Sequence, residues 1–224
     1  MMMINRRRVC GGKSLPYDAE IEYIDSNLSK TNRNCIDTGI VPYNNHTMRF
    51  ITSVMFNSTQ RRVIISNYID GGTPVCSLEL QTQNNTERLR TYSANGTGGS
   101  ISNISTISLP ANEYIDVDAT IDFDNKKWYI TFSFSGNEYT FNNNAYDTKY
   151  NCATALLLFL DHRRDISLIA YPLKMKFMKI IVDDVLTRNY IPVRVGNVGY
   201  LYDKVSSQLF GNAGSGSFIL GPDK

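Results

Sequence analysis

Between residues 114 and 141, apolar and polar side chains alternate with a period of two through three consecutive segments. Tyr114, Asp116 and Asp118 alternate with Ile115, Val117 and Ala119, and the run continues through Ile121 and Phe123. Asp124-Asn125-Lys126 has the composition of a turn. Trp128, Ile130, Phe132 and Phe134 then share one parity, and Tyr129, Thr131 and Ser133 share the other. Ser135-Gly136-Asn137 turns again into Tyr139-Thr140-Phe141. Successive side chains of a strand point to opposite faces. The pattern therefore predicts a β-meander with one apolar and one polar face.

Similar segments lie on both sides. Residues 17–24 alternate as an edge strand would, and residues 47–56, 62–68, 75–80, 153–160, 173–182 and 185–191 read as further strands. In residues 173–182 the pattern predicts Leu173, Met175, Phe177 and Ile181 inward, with Lys174, Lys176 and Lys179 in water. Residues 94–103 are glycine-rich and read as an exposed loop, because no helix follows to make them a phosphate cradle. The last thirty residues alternate through Tyr200, Tyr202 and Leu209-Phe210 before glycine and asparagine take over, as in short strands joined by tight turns. No segment has a helical period. About a dozen strands in one flat sheet would expose a whole apolar face. The expected fold is all-β: two stacked antiparallel sheets forming a jelly-roll sandwich over residues 15–224, behind an N-terminal arm of residues 1–14.

Three phrases carry a family resemblance. Leu15-Pro16-Tyr17-Asp18-Ala19-Glu20-Ile21-Glu22-Tyr23, Cys35-Ile36-Asp37-Thr38-Gly39-Ile40 and the C-terminal segment resemble laminin-G-like, concanavalin-A-like proteins of gut bacteria and their tailed phages, crAss-like phages among them. The loop from Asn27 to Asn34 departs from the family's usual turn. The resemblance implies the same sandwich, and it implies a protein of the virion surface: a head fibre, tail fibre or capsid decoration. Such fibres are homo-oligomers, often trimers, in which symmetry multiplies weak sugar contacts.

Composition narrows the function. The formal net charge of +2 and the absence of a dense Lys/Arg stripe argue against nucleic acid as a partner. The one basic run, Arg6-Arg7-Arg8, falls in the arm and is the candidate anchor to other virion proteins. No apolar stretch approaches the ~20 residues of a membrane span, and the N-terminus lacks the apolar core of a signal peptide. The expectation is synthesis in the host cytoplasm and incorporation into a virion, without membrane insertion. Cys10, Cys35, Cys76 and Cys152 form no C-x-x-C pair, so free thiols are expected. N-x-S/T triplets begin at Asn27, Asn45, Asn57, Asn84, Asn95 and Asn103, and they read as a surface rich in turns.

Catalysis finds little support. His46 and His162 have no nucleophile at a recognisable spacing. Asp116 and Asp118 on one strand face lack the third carboxylate of a glycosidase phrase. The protein is therefore expected to be a binder, not an enzyme. Its candidate glycan site is Tyr139, Tyr146 and Tyr150 with Asn142 and Asn143, since a sugar takes an aromatic face and amide hydrogen bonds at its edge. Arg163 and Arg164, in the charged loop Asp161–Asp165, are candidates to grip a sugar or carboxylate; a solvated loop with internal salt bridges is the plainer reading. No cofactor is expected, with Ca²⁺ on Asp122 and Asp124 as the one candidate metal. The rival readings are a bacterial carbohydrate-binding module and a glycan-cleaving enzyme.

Overall fold

A computed structural model describes residues 9–10, 13–29, 32–42, 46–57, 62–67, 76–83, 86–94, 100–145, 154–160 and 171–224. These contain strands and no helix. In chain order the strands are β1 (Val9–Cys10), β2 (Lys13–Ser14), β3 (Ala19–Glu20), β4 (Ile24–Asp25), β5 (Ile36–Asp37), β6 (Thr47–Met55), β7 (Arg62–Ser66), β8 (Cys76–Gln83), β9 (Thr86–Ala94) and β10 (Ser100–Ile104). They continue as β11 (Ile115–Asp122), β12 (Lys127–Phe134), β13 (Asn137–Asn144), β14 (Leu157–Leu158), β15 (Lys174–Val182), β16 (Val185–Val195), β17 (Val198–Asp203), β18 (Gln208–Phe210) and β19 (Ile219–Leu220).

Two antiparallel sheets stack as a sandwich. The larger follows the order β13-β12-β11-β6-β15-β16-β17-β18, with β3, β4 and β19 added at its side, and the smaller follows β10-β9-β8-β7-β14-β5. Within the expected arm, β1 and β2 pair with each other. The core between the sheets joins Phe50, Val117, Trp128, Ile130, Met178 and Ile180 of the large sheet to Ile64, Leu78, Leu80, Leu89 and Leu158 of the small one. Trp128 is fully enclosed, as its parity predicts.

The expected meander is β11-β12-β13, in register from Asp116 opposite Ser133 to Trp128 opposite Asn143. Its second turn places Ser135 and Gly136 at φ of 50° and 73°. The β15–β16 turn places Asp183 and Asp184 at 48° and 62°. Two consecutive positive φ values match the right-handed strand twist of a tight hairpin.

Four expectations are corrected. Residues 17–24 are broken into β3 and β4, because β3 pairs with β16 while β4 pairs with β15 and β19. The run 153–160 contributes only the two-residue β14. The glycine-rich stretch ends in a strand, β10, which pairs with β9, a strand the pattern did not predict. In β15 a bulge between Met175 and Phe177 shifts the register by one residue. It turns Phe177 to the outer face and puts Met178 and Ile180 in the core beside Leu173 and Met175.

The resemblance-bearing phrase at the N-terminus has a structural task. Tyr17 and Leu15 cover an apolar patch of Ile191, Val193 and Tyr202, forming a second, smaller core. The Tyr17 and Tyr202 ring centroids are 5.0 Å apart. The C-terminal glycines allow close approach: a Cβ on Gly214 would stand 1.7 Å from the Arg33 carbonyl oxygen. Cys35 and Cys76 are both buried. Burial, reinforced by the Asp37 carboxylate, pushes the Cys35 thiol up to about 11.

Candidate functional site

The outward parity of β13, β12, β11 and β6 builds an open polar face. Register sets its side chains in cross-strand rows: Asn142, Tyr129, Thr120 and Arg49; then Thr140, Thr131, Asp118 and Ile51; then Glu138, Ser133, Asp116 and Ser53. Two adjoining depressions lie along these rows. One, of about 360 Å³, is lined by Arg49, Asp118, Thr120, Tyr129, Thr131, Thr140 and Asn142. The other, of about 320 Å³, is lined by Ile51, Asp116, Asp118, Ser133, Glu138 and Phe177. Asp118 and Thr131 border both, so the two form one trough.

Tyr129 is 41% exposed, although its strand neighbours Trp128 and Ile130 are enclosed. Across the trough, Arg49 grips Asp118 with two hydrogen bonds, Nε to Oδ1 at 2.7 Å and Nη2 to Oδ2 at 2.5 Å. The hydrogen bond to Asp118 holds the guanidinium above its ordinary pKa, against the opposing effect of burial. This paired, planar group fixes the trough wall while leaving other N–H groups to donate outward. An aromatic face, three threonine hydroxyls, an amide and a guanidinium within one shallow depression can stack on a pyranose and bond its hydroxyl edges.

The structure separates the residues expected to act together. Asn142 lies on the open face. Tyr139 faces the other way, stacked on Phe132 and Phe134 with centroids 5.4 and 5.1 Å apart, at the edge of the core. Asn143 sits on that inner face opposite Trp128, and both the Trp128 Nε1 and the Asn143 Nδ2 are enclosed without a hydrogen-bond partner among the described residues. Tyr139 and Asn142 thus do not share a surface. The residue missed was Tyr129, whose parity opposite Trp128 and Ile130 already marked it as outward. Tyr146, Tyr150, Arg163, Arg164 and the arm residues Arg6, Arg7 and Arg8 lie outside the described residues.

The candidate metal residues are occupied with local structure. The Asp122 carboxylate accepts from the Asn125 amide nitrogen at 2.9 Å and its Nδ2 at 2.8 Å. These bonds hold Asp122 below the usual carboxylate range, and Asp124 is exposed. Among the described residues no group of three or more His, Cys, Asp or Glu side chains converges. His46 pairs with Asp183 at the rim of the sheet.

The fold is that of the jelly-roll sandwiches. A heptameric SAP-like pentraxin from Limulus polyphemus superposes with a TM-score of 0.57 at 9% identity, over 90% of this chain and 95% of that one. A protein of Bacteroides ovatus assigned as carbohydrate-binding gives 0.55 at 11% identity, over 90% of this chain and 60% of that one. The enzymatically active domain of tailspike protein 2 of bacteriophage CBA120 gives 0.51 at 10% identity, over 70% of this chain but only 25% of that one. No protein-family model matches the chain, and no curated protein matches its sequence. At these identities the likeness concerns the fold alone.

Proposed function

We propose that this chain is a non-enzymatic, lectin-like sandwich that binds surface glycans through the open face of its large sheet. The observation that carries the reading is Tyr129, an exposed aromatic ring set among Arg49, Asp118, Thr131, Thr140 and Asn142. The carbohydrate-binding assignment of the Bacteroides ovatus neighbour supports it by analogy of fold. The N-terminal and C-terminal phrases that resemble tailed-phage proteins support a finer form: a homo-oligomeric virion surface protein, tethered through residues 1–14 to other virion proteins.

A second reading has one observation in its favour. Asp116 and Glu138 stand in one row with Ser133 between them, about 10 Å apart at the backbone by strand spacing. Two side chains in such a row can bring their carboxyl groups within the about 6.5–9.5 Å used by inverting glycosidases. Both carboxylates are exposed, without the apolar enclosure that such enzymes give their general acid, so binding is the better-supported function.

The test is titration of the full-length protein against a panel of bacterial surface polysaccharides, with product analysis of each mixture. Saturable binding without cleavage is expected. Tyr129→Ala should weaken it at least tenfold, and Tyr139→Phe should leave it unchanged. Equal binding by the Tyr129→Ala protein removes the open face as the site. Release of shorter oligosaccharides, lost in Glu138→Gln, establishes the enzyme instead.

A further inference from the structure

The trough is chemically lopsided. Its Tyr129 end carries Thr131, Thr140 and Asn142, which are uncharged. Its other end carries Asp116 and Glu138. Asp118 stands where the two ends meet, and Arg49, the one cation among the described lining residues, already has two of its donors on that carboxylate. The lysines near this face do not line the trough, and one of them, Lys176, stands past its Asp116 end, with Nζ 3.6 Å from the Tyr114 ring centroid and 3.9 Å from Glu22 Oε1. Lys127 lies beyond the Tyr129 row, with its Nζ on Asn144 Oδ1 at 2.6 Å. Lys179 lies across Ile51 on β15.

From this we infer that the trough selects uncharged glycan chains and turns away polyanionic ones such as polyuronates. The inference rests on the trough being the glycan site. A chain long enough to stack on Tyr129 and continue along the rows must pass Asp118 and then Asp116 and Glu138. Hydroxyl groups donate well to exposed carboxylates. A sugar carboxylate at the same place meets like charge at short range, and the one guanidinium among the described lining residues is already paired. The remaining N–H groups of Arg49 can donate to such a ligand, but the guanidinium charge is already balanced by Asp118. The discrimination comes from repulsion of the wrong partner as much as from attraction of the right one.

The experiment uses matched probes that differ only at C6: mannotetraose against tetramannuronate, and galactotetraose against tetragalacturonate. Full-length protein is titrated with each by calorimetry at 10 mM salt. The neutral member of a pair should bind at least tenfold tighter than its acidic counterpart. The gap should narrow at 0.5 M salt, because exposed charges are screened. It should also narrow in the Asp116→Asn, Glu138→Gln double variant, whose exposed isosteric changes leave the sheet intact. If the acidic member binds as tightly as the neutral one, and Tyr129→Ala still abolishes binding, the inference fails while the glycan site stands. If no member of either pair binds, and the polysaccharide panel is also negative, both fail together.

Discussion

Two arginine–carboxylate pairs in this molecule have the same chemistry and opposite surroundings. Arg62 and Glu87 meet at 3.1 Å between the sheets, and both side chains are at 0% exposure. Arg49 and Asp118 meet on the open face, at 48% and 32%. Strand parity decides the difference. Arg62 stands opposite Leu80 on the inner face of β7, whereas Arg49 stands opposite Thr120 on the outer face of β6. The inner guanidinium also donates from Nε to the Pro172 carbonyl at 2.8 Å and lies over the Phe56 and Tyr171 rings. Burial lowers its pKa and the Glu87 charge opposes that shift, while the outer guanidinium is shifted upward by its partner. An enclosed pair fixes architecture; an open pair is available to a ligand.

The largest expected effect breaks the enclosed pair. Glu87→Gln removes the carboxylate that bonds Arg62 inside the sandwich. Removing one partner of a buried pair costs about 3–5 kcal/mol, because the remaining charge stays desolvated. Denaturant unfolding should show that loss, while glycan affinity measured well below the midpoint should be unaltered. A loss under about 1 kcal/mol would show that the core rearranges to pair Arg62 elsewhere.

Asp203 tests a third arrangement, an enclosed carboxylate held mainly by N–H and O–H donors. Burial acts to raise its pKa. The Asn189, Val205 and Ser206 amides and the Ser206 hydroxyl outweigh that effect and leave the pKa lowered. A depressed folded-state pKa contributes stability that is present above the unfolded value and is lost as pH falls through the folded one. The wild-type protein should therefore weaken as pH drops below about 4. Asp203→Asn should be about 2 kcal/mol less stable at pH 7, since hydrogen bonds to a charged group are the stronger kind. Its stability should also fall less steeply in acid. Parallel acid limbs for the two proteins would assign the acid sensitivity to other carboxylates.

The same contrast between faces explains how far the sequence could be read. The meander was legible because its two faces differ completely: Val117, Ala119 and Ile121 on one side, Asp116, Asp118 and Thr120 on the other. Strand β9 was not, because its inward residues are Glu87, Leu89, Thr91 and Ser93, all buried yet mostly polar. The Arg62–Glu87 pair thus erased the alternation that would have announced the strand. Phe177 was misplaced because a bulge changes parity without changing composition. Within the site, Asn142 was found but Tyr139 was preferred to Tyr129. The asparagine-rich neighbourhood of Tyr139 suggested a wet surface, although its parity with Phe141 pointed to the core. Local composition outweighed periodicity there, and periodicity was the better guide. Which side chains become neighbours across β13, β12, β11 and β6 depends on register, and no single strand carries that information.

The smallest effect separates the two pairs most sharply. In a double-mutant cycle of Arg49→Ala and Asp118→Ala, the coupling measured in folding stability should be about 0.2–1 kcal/mol, because water and salt screen an exposed pair and two side chains must be ordered to form it. The same cycle read in glycan affinity should show a larger coupling. Each single variant removes a wall of the trough: Arg49→Ala leaves Asp118 bare, and Asp118→Ala leaves the guanidinium untethered. A strong coupling in stability with none in binding would make the outer pair a clamp between β6 and β11, as architectural as Arg62–Glu87. The open face would then lose its strongest polar element, and the weight of recognition would fall on Tyr129 and Asn142 alone.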